Sequence, residues 1–211
     1  MESYVPTGSV MTILPLVTFG NLRWFATLLQ SGCIIDIGEH YQKQTWRNRF
    51  DICGPNGLFQ CTLTVKGQKG EKIAVKDIEL IQDGWNRRFL RTLATSYGPS
   101  PYYIHYESEL SELFLADYAS LSAFNDAALR WALKAIGSDF VPTFSSDFID
   151  ASPEDQDLRG MFKPSKSSES SPAYPQVFED RNGFISNLSV LDLIMNLGPE
   201  SYGYLMRYPL K

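Results

Sequence analysis

The chain breaks into apolar runs separated by polar or glycine-bearing stretches, and the spacing within the runs changes along it. Thr12 to Phe19 is a short apolar run whose Pro15 suggests an edge strand or a strand end. Gly20-Asn21 turns the chain, and Asn21 is suited to cap a helix over 22–30, where Leu22, Phe25, Leu28 and Leu29 fall at helical spacing. Gly32 stops that helix, and Cys33 to Ile37 reads as a second buried strand. Strand, helix and strand in such quick succession predict a parallel βαβ unit. From Trp46 the period becomes two. Phe50 and Ile52 share one face, as do Phe59, Cys61, Leu63 and Val65, and Gly54-Pro55-Asn56-Gly57 between them predicts a hairpin turn. A polar loop over 66–72 leads to an expected third antiparallel strand over 73–80.

The second half is more helical. Trp85, Phe89, Leu90, Leu93 and Tyr97 form the stripe of a helix that Gly98-Pro99 ends. Pro99 to Tyr106 reads as an aromatic loop or short strand, followed by an acidic segment over 107–112. Ser122 to Ile136 is the clearest helix, stopped by Gly137. Residues 141–173 show no period, and about 145–172 read as a mobile low-complexity insert. Asn187 or Ser189 caps a helix over 190–197, Gly198-Pro199 ends it, and an amphipathic piece follows over 200–208. The expected fold class is α/β with mixed α+β features. It is a single domain over 1–211, with an N-terminal βαβ unit, an antiparallel hairpin or meander joined to the sheet, and packed C-terminal helices. Residues 1–10 read as a loose extension, and no internal repeat is visible.

Composition narrows the class. The 211 residues are 44% hydrophobic and 20% charged, ordinary for a soluble globular domain. The net charge of −5 argues against a general nucleic-acid binder. No secretory signal is expected at the N-terminus, and the apolar run over 13–17 is too short to span a bilayer. Cys33, Cys53 and Cys61 lack disulfide-framework or metal-site spacing, so inert buried thiols in a reducing cytoplasm are the simplest reading.

The chemistry is concentrated in Asp36 to Phe50, too polar for a core and too aromatic for an ordinary solvated loop. A histidine side chain suits general-base chemistry, and His40 can play that part oriented by Asp36 or Glu39; a loop histidine bonded to backbone is the alternative. Asp36 and His40 are therefore the catalytic candidates. Lys43, Arg47 and Arg49 can hold phosphate or carboxylate. Tyr41, Gln42, Trp46 and Asn48, interleaved with them, suit a base, a sugar ring or a planar acyl group. The competing reading is the solvated face of an edge strand. In an extended chain Asn48 and Arg49 point to opposite sides, so at least one is structural. Arg88, with Arg91 at i+3, either extends a positive pocket or forms a solvated helix face. Tyr97, Tyr102, Tyr103 and Tyr106 either wall a pocket or pack. His40 and its acidic neighbours are too few for a metal site, and no Walker loop, dinucleotide fingerprint or Gly-x-Ser-x-Gly elbow is present, so neither metal nor cofactor is expected.

His40-Tyr-Gln-Lys-Gln-Thr-Trp-Arg-Asn-Arg49, followed by an apolar hairpin and Leu63-Thr-Val65, resembles the WbqC-like protein family, in its Bacteroidetes-type branch. The resemblance continues at 85–91, 97–103, Tyr174-Pro-Gln-Val-Phe178, 183–193 and 196–199. It implies a bacterial protein associated with surface-polysaccharide (O-antigen) biosynthesis, with a suggested role in transferring an amino-acid or acyl group to an activated sugar. Its aromatic-x-Lys and Asn-Arg pairs correspond to Tyr41, Lys43, Asn48 and Arg49. The chain keeps only the proline of the family's His-Gln-Pro-like first strand, and only Asp36 of its paired acids after the second strand. The expected ligand is an anionic small molecule such as a nucleotide sugar. A non-catalytic binding or assembly protein is the alternative. A nucleotidyltransferase-like enzyme is a weaker one, because no His-x-Gly-His pair follows the first strand.

Overall fold

The computed structural model describes residues 10–66, 72–163 and 170–210. The expected extension over 1–10, the loop over 66–72 and the low-complexity run at 163–172 fall largely outside these residues.

The βαβ unit forms as the hydrophobic pattern predicts. Strand β1 (Thr12–Pro15), helix α1 (Leu22–Gln30) and strand β2 (Cys33–Asp36) follow in order, with β1 and β2 paired in parallel. Asn21 caps α1 by accepting the Trp24 amide at 2.9 Å. Phe19, at φ 42°, turns its ring into an aromatic core against Phe50, Phe114, Phe124 and Trp131. That packing holds a conformation which a bulky residue seldom adopts.

The hairpin comprises β3 (Arg49–Gly54) and β4 (Gly57–Thr62), with Gly57 at φ 97° in its turn. It is its own two-stranded sheet rather than an extension of the parallel one. The third meander strand does not form. Residues Val75–Asp77 make a 3-10 turn, and the Tyr41, Val75 and Lys76 amides donate to Ile73 O, Glu39 O and Ile37 O. The 73–76 backbone is thereby bonded to the loop after β2, leaving the isolated bridges His40–Ala74, Val65–Leu80 and Glu79–Ser120 where the strand was expected.

Helix α2 (Trp85–Tyr97) packs on β3 and on α3 (Tyr103–Leu115). The start of α3 falls where an aromatic loop or short strand is expected over 99–106. Tyr103, Leu110, Leu113 and Phe114 in fact form a buried helical stripe, with the acids on the open side. Helix α4 (Leu121–Ala135), capped by Ser120, lies against the 3-10 turn.

Of the stretch expected as an insert over about 145–172, residues 156–157 form a sheet strand, and a second short strand lies just before that stretch. Strands β5 (Thr143–Phe144) and β6 (Gln156–Asp157) flank the βαβ pair in the order β5-β2-β1-β6, all parallel. Leu158, Arg159 and Phe162 are buried behind them. A short helix α5 (Glu179–Asn182), absent from the sequence reading, precedes α6 (Val190–Leu197) and α7 (Glu200–Met206), both of which pack on α1. The result is a mixed α/β domain. Among the described residues no helix is long and apolar enough to cross a membrane.

Candidate functional site at the carboxyl edge of the parallel sheet

Open parallel sheets gather ligands outside the carboxyl ends of their strands. Here that edge is occupied by charge. Asp36, the last residue of β2, is fully buried. Its Oδ1 accepts from the Gly38 amide at 2.8 Å and the Ser145 hydroxyl at 2.9 Å. Its Oδ2 accepts from the Ile149 amide at 3.2 Å and from the Arg159 guanidinium. Arg159 also grips Asp157 through Nε at 2.9 Å and Nη2 at 2.7 Å, and those bonds hold the Asp157 carboxyl below its usual range.

A second buried pair lies beside the first. Arg47 Nε donates to Glu39 Oε1 at 2.8 Å and its Nη2 to Oε2, a two-point grip suited to the planar fork. The same Nη2 reaches Arg159 O at 3.2 Å. Burial pushes the Glu39 carboxyl up, while Arg47 pulls it back. Gly38 lets the 145–149 segment close on this loop: a Cβ there would lie 2.1 Å from the Phe148 amide nitrogen.

The candidate residues separate accordingly. Asp36 has four donors around a carboxylate with about four acceptor positions, so it acts as a lock for the loop and has nothing left for a substrate. His40 is exposed and stacks on Phe148, ring centres 6.3 Å apart; its side chain bonds to neither Asp36 nor Glu39. The Arg159 guanidinium lies 4.5 Å from the same Phe148 ring centre. Gln42 and Lys43 are exposed, and their side chains make no hydrogen bond or ion pair among the described residues. Trp46 belongs to the core, and Arg47 is the fully buried partner of Glu39.

Asn48 and Arg49 diverge as the strand geometry requires. Asn48 Nδ2 donates to Leu63 O at 2.9 Å, while its buried Oδ1 has no protein partner. Arg49 Nη1 donates to Gln60 Oε1 at 3.2 Å, and its Nε is likewise buried without a partner. Half-buried Tyr41 lies within the electrostatic reach of Arg49 and Arg47, both of which oppose the rise that burial gives its phenol. Arg88 stands apart, donating to Asp83 O at 3.0 Å and Asp83 Oδ1 at 3.1 Å at the start of α2. Cys33 begins β2, donates to Thr27 O, and has its thiol pushed by burial to about 12, which removes it as a nucleophile near neutral pH. Among the described residues no group of three or more His, Cys, Asp or Glu is placed to hold a metal ion.

Two features escape the sequence reading. One is the 145–159 segment with Ser145, Phe148 and Arg159; its faint signal is the Asp157-Leu-Arg159 alternation around a buried leucine. The other is a buried carboxylate knot. Asp192 accepts from Tyr97 Oη at 2.8 Å, Tyr174 Oη at 2.6 Å and Gln176 Nε2 at 3.0 Å. Its signal is one acid inside the apolar run Val190-Leu-Asp-Leu-Ile-Met195.

Comparison with protein families gives a match between residues 31–163 and the model of the WbqC-like protein family. The matched span includes the loop after β2, the hairpin and the segment that carries Arg159. No curated protein and no solved structure matches the chain.

Proposed function

Since the chain belongs to the WbqC-like protein family, we propose that it binds an anionic small molecule such as a nucleotide sugar on the 36–49 loop. The reaction proposed is transfer of an amino-acid or acyl group to that activated sugar, in the cytoplasmic stage of bacterial surface-polysaccharide assembly. One observation carries the binding part. The buried pairs Asp36–Arg159 and Glu39–Arg47 fix the loop, while His40, Gln42 and Lys43 project from it into solvent. Such a rigid loop presents a cation and a titratable ring without the cost of ordering them at each binding event.

Lys43 offers its charge to phosphate, and Tyr41 offers a ring edge. The unpartnered Asn48 Oδ1 and Arg49 Nε are polar atoms that a bound molecule or water would satisfy. In the transfer step His40 would take the proton from the attacking sugar amine or hydroxyl. The acyl carbon then bonds to that atom, and the leaving group departs with its electron pair and collects the proton. The second reading, binding without turnover, is favoured by a specific observation: the carboxylates beside His40 are both engaged with arginine, so no acid–base pair stands ready.

Calorimetric titration with a uridine diphosphate sugar tests the binding. Lys43→Ala is expected to weaken it about tenfold, the value of one charge-assisted contact, with an unchanged unfolding midpoint. Assays with activated amino-acid and acyl donors then separate the readings. Turnover lost in His40→Gln with binding retained supports the transferase. Binding without turnover across the donors supports the second reading, and no binding by the wild type refutes both.

A further inference from the structure

A cleft of about 270 Å³ lies between the hairpin turn and α2, bounded by Gly54 to Phe59 on one side and Arg91, Thr92, Thr95 and Ser96 on the other. We infer that this cleft is a binding site for a small organic anion with an apolar body, a hydrophobic carboxylate, with the Ser96 hydroxyl at its floor and the Arg91 guanidinium at its rim. It shares no residue with the 36–49 loop and does not rest on the reading given for that loop.

Ser96 lies on the α2 side of the cleft. The residue is only 1% exposed and lines the cleft, yet its hydroxyl makes no hydrogen bond among the described residues. The neighbouring threonines behave differently: Thr92 and Thr95 bond back to the carbonyls of Arg88 and Arg91 in their own helix. The hydroxyl is not among the fully enclosed unpartnered side-chain atoms, so it opens on the cleft and is available to a molecule that fills it. Its orientation is given by Gly54, where a Cβ would sit 3.6 Å from Ser96 Oγ, so the hydroxyl faces the end of β3 across the cleft.

The opposite wall is apolar and incompletely covered. Leu58 is 60% exposed and Phe59 47%, on a turn held from behind by the Asn182 amide bonded to Gly54 O at 3.2 Å. At the rim, the exposed Arg91 side chain has no ionic or hydrogen-bond partner among the described residues. An apolar slot with one hydroxyl and one free guanidinium selects a molecule with a carboxylate at one end and a ring or short alkyl body at the other. The volume is that of roughly nine waters, which suits a body of about that many heavy atoms.

The test is an amide-detected NMR titration of the full chain with benzoate and, separately, with uncharged benzyl alcohol. Saturable shifts are expected at 54–59 and 91–96, with benzoate binding about tenfold tighter, as one charge-assisted contact gives. Arg91→Gln, a change at an exposed site, should erase that preference. Gly54→Ala should weaken both probes, since its methyl enters the cleft at ordinary contact distance from its neighbours and leaves the fold intact. Shifts absent from these residues, equal affinity of the two probes for the wild type, or an Arg91→Gln variant that keeps the preference would each overturn the assignment.

Discussion

Asp36 and Lys43 belong to one loop and serve it in opposite ways. Asp36 is buried and saturated with donors, and its removal would leave the Gly38 and Ile149 amides, the Ser145 hydroxyl and the Nη1 end of Arg159 without their carboxylate, Asp157 alone then facing that cation. Replacing a buried pair with apolar groups can be neutral, but removing one partner costs about 3–5 kcal/mol. Asp36→Ala is therefore expected to lower unfolding free energy by about that amount in urea denaturation. Lys43→Ala, at an exposed site, should stay within about 0.5 kcal/mol of the wild type while losing ligand affinity. An Asp36→Ala variant as stable as the wild type would show that the carboxylate is not the lock of the loop. The residue types were legible in sequence here, but their roles were not. Asp36 looks catalytic because it precedes a histidine, and only the distant Arg159 and Ser145 reveal that its acceptor positions are filled.

The elements differ in how far a local pattern can reveal them. Helices α1 and α2 were legible to their ends, since each carries a full apolar stripe with an Asn cap or a Gly-Pro stop. Helix α3 was misread because two prolines and three tyrosines at its start obscure a stripe that continues to Phe114. Strands β5 and β6 are two residues long, too short to show any alternation. Their segment is nevertheless clasped to the loop after β2, at the point where Gly38 permits the backbones to meet. Gly38→Ala should force the 147–148 backbone away, because neither partner in that collision is a flexible side-chain end. Limited proteolysis is expected to cleave the variant near 145–150 well before the wild type. Equal protection of both would mean that the close approach is not needed to dock the segment.

Across the whole molecule, the Asp192 knot ties together α2, α6 and the 174–176 strap. Burial raises the Asp192 carboxyl to about 6 even though its donors pull the other way. The folded state then holds the proton more tightly than the unfolded chain does. This contribution to stability is fully present below about pH 4 and is lost as pH rises through about 6, with a ceiling of about 3 kcal/mol. Asp192→Asn should flatten that fall relative to the wild type in denaturation series between pH 4 and 7; an unchanged slope would exclude the group as its source. By itself the sequence determined the βαβ opening, the hairpin, the main helices and the stretch where charge and aromatics crowd together, because periodicity and caps are local properties. Only the tertiary structure decided which of those charges are buried locks and which stay open to a ligand. A side chain's exposure and its free hydrogen-bonding positions depend on partners from remote parts of the chain, and the pairs Asp36–Arg159 and Tyr97–Asp192 exist only once the fold has brought them together.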